Sequence, residues 1–373
     1  MDLLRGLAIF LVLMNHVNIR LAIGRVPYTH GMPKQLVQSL FWSGQQGVQI
    51  FFAVSGFLIT STALRRWGSL SKISIRDFYL LRFARIAPLL LMLLAVLSAL
   101  HFAGLKDFIV KPKTGGLGRA LLAALTFHIN WLEATRGYVP ANWDILWSLS
   151  VEEMFYIFFP LICRIVGGGK WLVALLLGFV VMGPFGRTVF AHNDVWKEYS
   201  YLGSMDAIAL GCLTAIVVSR FSISRWALRI LCLTGVALVA FSICFSLRGE
   251  QMGLQRTGLG MSIIAVGACM IVIAAAKTQR QSPVALRSLL NIGQRSYEIY
   301  LTHMFVVFVL FDWFVAAGKP MGAVAALFVT VILVSSLLGN VVGRYYTEPV
   351  NRYLRNRWGE GANRLGSVVE NVA

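Results

Sequence analysis

An arginine and a histidine in the first apolar segment have the types and spacing that most directly indicate chemistry. Arg5 lies where a helix over residues 3–23 would enter a membrane, and His16 lies eleven residues further on. At ~100° and ~1.5 Å per residue, this spacing returns to nearly the same helix face, ~16 Å deeper. An ionisable side chain inside a membrane span is a functional-site hypothesis by default. A neutral imidazole there can act as a general base, or it can hydrogen-bond a neighbouring helix for structural reasons.

Two adjacent carboxylates, Glu152 and Glu153, lie in a later apolar segment over residues 145–166. Adjacent residues cannot share one helix face, so at most one of them points in a given direction. If this segment runs inward, both lie ~11–12 Å below its outer end, close to the depth expected for His16. One carboxylate would then orient the histidine and stabilise its protonated form, which is how a hydroxyl is activated. The alternative is that both carboxylates line a water-filled ion path.

A pair of arginines, Arg82 and Arg85, precedes the apolar segment over residues 86–104. Residues three apart share a helix face, so we expect both at the inner mouth of that span, at the level of Arg5. Guanidinium groups that converge in this way suit a phosphate or a carboxylate. The alternative is that they are the ordinary cations that flank membrane spans on the cytoplasmic side.

Two more polar residues and a run of small residues are weaker candidates. Asp206, near the outer end of a predicted span, would contact a substrate on the outer side. His303 is either a structural hydrogen-bonding partner or a contact along a polar pathway. The small residues between Gly47 and Gly56 indicate either close helix packing or a groove for a thin ligand chain.

The elements that must position these residues are membrane spans. The chain has 373 residues, of which 57% are hydrophobic and 13% charged, and its mean hydropathy is +0.71. Soluble domains carry about 25% charged residues. The pattern therefore predicts an all-α polytopic membrane protein. We predict ten spans, over residues 3–23, 45–64, 86–104, 145–166, 171–190, 201–219, 227–246, 257–276, 297–317 and 322–344.

The charges predict the orientation and exclude one class of partner. The net charge of +18 does not indicate nucleic acid, because the cations fall in short loops between apolar spans. Most of the 34 Lys and Arg residues lie on one side if both termini are cytoplasmic, which is the orientation we predict. A span over residues 117–132 would reverse this bias, so we expect that segment to lie at the outer interface or to form a re-entrant piece of a long outer loop. The five cysteines have no metal-ligand spacing, and we expect no metal.

Taken together, the chain resembles acyltransferase family 3, the integral membrane O-acyltransferases, over nearly its whole length. Any one of the family's motifs is weak, but four of them occur in order and on the right spans. They are Arg-x10-His at Arg5 and His16, Phe-Phe-x-x-Ser-Gly-Phe at 51–57, Arg-x-x-Arg at Arg82 and Arg85, and Ser-x-x-Glu-x6-Pro at Ser150, Glu153 and Pro160.

The resemblance implies transfer of an acyl group, with acetyl expected, from cytoplasmic acyl-coenzyme A to a hydroxyl of a cell-envelope glycan or similar acceptor. It implies a catalytic role for His16 with Glu153, either as a general base or through an acyl-histidine intermediate, and donor binding by Arg5, Arg82 and Arg85. Candidates for acceptor contacts are Ser150, Glu152, Asp206 and His303. The expected partners are acyl-coenzyme A, a hydroxylated acceptor and membrane lipid.

The resemblance also implies a location and a domain plan. We expect a bacterial cytoplasmic membrane, one transmembrane acyltransferase domain over residues 1–346, and a short basic cytoplasmic tail over 347–373. Some members of the family carry a C-terminal hydrolase-like domain outside the cytoplasm. Here we expect the stand-alone form. The competing interpretation is a transporter that uses the same His, Glu and Arg residues as a proton or anion path.

Overall fold

A computed structural model describes residues 1–278 and 286–358, and these residues form helices joined by short connections, with no strand. This confirms the predicted all-α polytopic membrane protein. The helices, in chain order, are α1 (Asp2–Ile23), α2 (Lys34–Phe41), α3 (Gly44–Trp67), α4 (Ile75–Phe102), α5 (Gly116–Leu125), α6 (Ile129–Arg136), α7 (Ala141–Asp144), α8 (Leu146–Val166), α9 (Lys170–Arg187), α10 (Asp194–Tyr199), α11 (Tyr201–Arg220), α12 (Arg225–Cys244), α13 (Ser246–Gln251), α14 (Leu259–Thr278), α15 (Arg287–Gln294), α16 (Ser296–Ala316) and α17 (Val324–Val342).

Nine stretches of helix in the described part of the chain are long and apolar enough to cross a membrane, and α8 is not one of them. The contacts at the two ends of α8 nevertheless lie at opposite ends of the bundle. Near its end, Arg164 donates a 2.8 Å hydrogen bond to the Ser71 carbonyl, in the α3–α4 connection. Near its start, Trp147 stacks on Tyr199, in the α9–α11 connection. We infer that α8 also crosses, as predicted for residues 145–166.

The centre of the bundle is a parallel pair, α3 and α11, whose backbones touch. The start of α3 lies beside the start of α11, because Gln45 donates a 2.9 Å hydrogen bond to the Glu198 carbonyl. Further along, a Cβ on Gly56 would collide with the Ile208 backbone, and one on Gly211 would collide with the Ala53 backbone. Glycine is therefore required at both positions, as is common between membrane helices. On this face of α3 the small residues serve packing, which was one of the two predicted roles.

Helix α4 begins eleven residues before the predicted start of its span. Ser74 caps it by accepting a 3.3 Å hydrogen bond from the Asp77 amide, and the helix is continuous to Phe102. Arg82 consequently lies ~10 Å inside the helix, not at its mouth. The helix starts earlier than the predicted span because hydropathy counts Arg82 and Arg85 as flanking charges, whereas the folded chain pairs Arg82 with Glu152 and Glu153.

Two connecting regions complete the fold. The segment over residues 117–132 is broken into parts of α5 and α6, which are too short to span, in agreement with the prediction. The helix that contains α17 continues beyond it as far as residue 358. Arg295 and Glu348 form a 2.6 Å ion pair that ties this extension to the start of α16. The rest of the predicted tail, residues 359–373, lies outside the described residues.

Candidate active site

A cavity of about 240 Å³ opens at the end of the bundle where α3 ends and α4 begins. Most of its charged lining residues are arginines, and we call it the arginine cavity. These arginines are Arg5, Arg66, Arg82, Arg85 and Arg355. Glu152 is the one carboxylate among the lining residues that the structure describes. This predominance of guanidinium groups suits an anion with several phosphates.

Arg82 differs from the other arginines of this cavity because two carboxylates already hold it. Its guanidinium donates to Glu153 at 2.6 and 3.0 Å and to Glu152 at 3.1 Å, and it lies over the Tyr156 ring. The side chains of Arg82 and Glu153 are 14% and 7% exposed. A charge so buried is tolerated only with such partners. We predicted that Glu153 acts together with His16 and that Glu152 contacts the acceptor. In the structure both carboxylates bind Arg82.

A narrow apolar cavity, lined by Val12, Phe51, Glu152, Tyr297 and Tyr300 among others, continues from the arginine cavity. The two share Phe51, Glu152 and Tyr297, so they form one path into the bundle. Ser55, on the cavity-facing side of α3, donates a hydrogen bond to Glu152 and lies 2.7 Å from the Tyr156 hydroxyl. This face of α3 therefore also provides a groove, which was the second role predicted for its small residues.

His16 and His303 form a hydrogen-bonded pair at the far end of this path. His303 Nε2 lies 3.2 Å from His16 Nδ1, and the two rings are 4.9 Å apart. His16 Nδ1 also lies 3.0 Å from the Val12 carbonyl, and His303 Nδ1 lies 2.7 Å from the Tyr300 carbonyl. Val12 and Tyr300 both line the narrow cavity, so the pair lies directly behind its end.

These contacts fix the protonation pattern of the two imidazoles. A carbonyl only accepts, so His303 must carry its proton on Nδ1, which leaves its Nε2 as an acceptor. His16 must then carry its proton on Nδ1, shared between the Val12 carbonyl and His303. The Nε2 atom of neutral His16 is left unprotonated. The predicted partner of His16 was Glu153, but both Glu153 oxygens contact Arg82 instead.

Two other predicted site residues are not brought to this path. Ser150 is 1% exposed and donates a 2.9 Å hydrogen bond to the Leu146 carbonyl within its own helix. Asp206 is fully buried and binds the Arg187 guanidinium at 2.7 and 3.0 Å, while Ser262 donates to it at 2.6 Å. Asp206 therefore joins α9, α11 and α14, and its oxygens do not face an open cavity.

Sequence reasoning missed three residues of the arginine cavity. Arg66 was counted as a loop cation, Arg355 was placed in the tail, and Tyr297 lies in a Ser-Tyr-Glu-Ile-Tyr-Leu-Thr-His motif over residues 296–303 in which the tyrosines were given no role. The Tyr297 hydroxyl donates a 2.9 Å hydrogen bond to the Ile86 carbonyl, which fixes its ring between the two cavities. The available signal was the motif that contains Tyr297 and the density of arginine on one side of the membrane.

Comparison with known proteins gives the class of the chain. A family model described as an acyltransferase domain matches residues 1–340. The O-acetyltransferase OatA of Staphylococcus aureus (strain NCTC 8325) is 24% identical over 335 residues, which is 83% of this chain and 53% of that protein. A putative O-acetyltransferase of Staphylococcus aureus (strain COL) is 24% identical over 356 residues, 86% of this chain and 52% of that protein.

The chain thus spans about half the length of these curated relatives. No solved structure matches it. The matched range includes Arg5 and His16, the Arg82–Arg85 pair, the carboxylates of α8 and His303. The chain therefore belongs to acyltransferase family 3.

Proposed function

We propose that this protein is a membrane O-acyltransferase that moves an acyl group, acetyl in the first instance, from acyl-coenzyme A to a hydroxyl of an envelope glycan. One observation carries the proposal: a cavity rich in arginine adjoins a narrow cavity, and two residues that line the narrow cavity, Val12 and Tyr300, hold His16 and His303 through their carbonyls. The relatives named O-acetyltransferases support the class of reaction. The alternative, a transporter, would use the same polar residues without any covalent step.

The donor would bind with its phosphates in the arginine cavity and its thin pantetheine arm in the narrow cavity. Arg5, Arg66, Arg85 and Arg355 line the cavity, and no carboxylate holds them as closely as Glu153 holds Arg82 among the described residues. Each charge-assisted hydrogen bond to a phosphate contributes about 1.5–3 kcal/mol. This end of the bundle would face the cytoplasm, as the distribution of Lys and Arg predicts.

In the transfer step, His16 Nε2 takes the proton of the acceptor hydroxyl while the hydroxyl oxygen attacks the thioester carbonyl. The carbon–sulfur bond breaks, and the coenzyme thiolate leaves and receives a proton. His303 acts as a positioning residue, because it holds the His16 proton on Nδ1 and keeps Nε2 available. Arg82 positions Glu152 and Glu153. Glu152 lines the narrow cavity, so its negative charge lies beside the route that leads to His16, where the imidazolium forms.

The experiment that tests this function follows thiol release and label transfer from radiolabelled acetyl-coenzyme A to envelope glycans, with protein purified in nanodiscs. His16→Ala is expected to lower transfer by about 10²–10⁴-fold, the usual contribution of a general base. The matched control is His192→Ala, because His192 is exposed. Absence of thiol release by the folded wild type with acetyl, succinyl and longer donors would contradict the proposal and favour the transporter.

His303→Gln tests the positioning role separately from the base itself. Glutamine can present either its oxygen or its NH2 group to His16 Nδ1, so it holds the orientation of the His16 ring less strictly than the His303 imidazole does. We expect kcat to fall by about 10–100-fold, less than for His16→Ala, with an unchanged KM for acetyl-coenzyme A. The measurement is steady-state kinetics across a range of pH. A raised KM for the acceptor with unchanged kcat would contradict the positioning role and show that His303 contacts the acceptor, as predicted from the sequence.

A further inference from the structure

A second large cavity, of about 390 Å³, lies at the end of the bundle opposite the arginine cavity. It is bounded by the start of α3, by α10, and by the connection from α12 through α13 to α14. Glutamine side chains characterise its lining, and we call it the amide cavity; its glutamines are Gln38, Gln45, Gln46 and Gln255. We propose that the amide cavity is the saccharide-binding site that presents the acceptor hydroxyl to His16. The role in catalysis rests on the proposed function; the binding of a saccharide does not.

The position of the amide cavity is what an acceptor site requires. Trp42, Gln45 and Gln46 of its lining lie at the start of α3, whereas Arg66 of the arginine cavity lies at the other end of that helix. A helix of this length separates its ends by ~35 Å. The start of α3 also touches the turn of α1 that carries the catalytic histidine, because a Cβ on Gly44 would lie 2.7 Å from the Asn15 side chain. Gly44 directly precedes Gln45 of the lining, so this wall of the amide cavity lies next to the segment that carries His16, at the end opposite the donor.

The lining chemistry matches a neutral sugar. Each glutamine amide offers both donors and an acceptor, as a sugar hydroxyl does. Gln46 lines the cavity, and its buried Oε1 atom has no hydrogen-bond partner among the described residues, so this side chain is not fully committed to contacts within the protein. Asp194 and Glu198 add acceptors, and Trp42 with Phe241 and Phe245 provides flat apolar surface for the C–H face of a pyranose ring.

Other ligand classes fit less well. A lipid chain would leave several amides and carboxylates unpaired in an apolar environment, which is costly. A polyanion would find two cations, Arg187 and Lys197, against two carboxylates in the lining. Arg187 is moreover held by Asp206 and by the Gly258 carbonyl at 2.9 Å. Asp206 thus acts through Arg187 as a positioning residue for the cavity wall, which modifies its predicted role as a direct substrate contact.

The test measures protection of one engineered thiol, which requires no catalysis. Gln255→Cys places a thiol on an exposed residue of the amide cavity, and Gln294→Cys is the matched control at the opposite end. Maleimide labelling at each position is quantified by peptide mass spectrometry in nanodiscs. The probes are three soluble pools: muramidase-released peptidoglycan fragments, de-acylated capsule oligosaccharides and bacterial glucans.

We expect at least one pool to slow labelling at residue 255 severalfold without slowing it at residue 294. Adding Trp42→Ala to Gln255→Cys is expected to abolish this protection, whereas Trp171→Ala, an exposed tryptophan elsewhere, is expected to preserve it. Failure of all three pools to protect residue 255 would overturn the assignment. Protection without thiol release would refute the transferase but not the saccharide site. Transfer to a pool that does not protect would refute the site but not the transferase.

Discussion

The two large cavities lie at opposite ends of one helix, α3, and their linings have opposite character. Five arginines and one glutamate line the arginine cavity. Four glutamines, two cations and two carboxylates line the amide cavity. One end is therefore suited to an anion of high charge and the other to a neutral ligand with many hydroxyl groups. The difference supports our proposal that the protein binds two substrates of unlike chemistry from opposite ends and brings them together at the histidine pair.

A smaller contrast exists within the arginine cavity itself. Arg82 is ion-paired to both carboxylates of α8, whereas Arg85, one helical turn later, is exposed and lines the same cavity. The shared Arg-x-x-Arg motif thus contains one arginine that stabilises the site and one that is available to a ligand.

The largest effect we expect is on Arg82. Arg82→Met would leave Glu152 and Glu153 buried without their cation, and removing one partner of a buried ion pair costs about 3–5 kcal/mol. We expect loss of most of the folded protein, measured by thermal unfolding and yield in detergent. Arg85→Met is the control and should fold normally. Adding Glu152→Gln and Glu153→Gln to Arg82→Met should restore folding; if Arg82→Met alone is as stable as the wild type, Arg82 is free for a ligand.

A smaller effect is expected from the arginines that we assign to the donor. Arg85→Ala and Arg66→Ala should each raise the KM for acetyl-coenzyme A about tenfold, because each removes a charge-assisted contact. They should leave kcat little changed and weaken the dependence of KM on salt. The control is Arg65→Ala, an exposed neighbour of Arg66 that is not part of the cavity lining. A KM that changes equally in all three variants would remove the distinction between cavity and flanking cations.

The smallest effect concerns the acid pair behind the amide cavity, Glu133 and Asp144. Burial raises the pKa of Asp144 to about 6, and burial beside Asp144 raises the pKa of Glu133 well above its usual value. The folded protein therefore binds more protons than the unfolded chain between ~pH 4 and ~pH 6. The free energy of unfolding should fall as pH rises through this window.

Thermal unfolding in nanodiscs across that window is the measurement for the acid pair. The decline in unfolding temperature with rising pH should be smaller in Asp144→Asn than in the wild type. Asp312→Asn, which changes an exposed carboxylate, should behave as the wild type does. Identical pH profiles for Asp144→Asn and the wild type would show that the pair is not protonated in the folded state. The end of the bundle that carries the amide cavity would then bear more negative charge than we describe.

Much of the fold followed from hydropathy because apolar runs of about twenty residues have few alternatives to a membrane helix. The first catalytic candidate, His16, followed from the cost of placing an imidazole inside such a run. The start of α4 did not follow, because Arg82 is buried by its pairing with Glu152 and Glu153, about seventy residues away along the chain. A hydropathy value is assigned to each charged residue separately and takes no account of an ion-pair partner.

The partner of His16 was also beyond the sequence. His303 is 287 residues away, and nothing in the pattern of either segment specifies that α1 and α16 pack together. Glu153 had the depth expected of a partner, but depth leaves the direction of a side chain undetermined. Arg355 shows the same limit, since its position follows from the helix that continues past α17 and from the ion pair between Arg295 and Glu348.

The most direct test of the two-ended account is transfer across a sealed membrane. Protein of uniform orientation in liposomes would receive acetyl-coenzyme A only at the end that carries the arginine cavity. Muramidase-released peptidoglycan fragments, capsule oligosaccharides or glucans would be supplied only at the other end. We expect acetylated glycan on the side of the amide cavity and free coenzyme thiol on the side of the arginine cavity. Neither product should form when the two substrates exchange sides. Transfer that requires both substrates on the same side of the membrane would contradict the account.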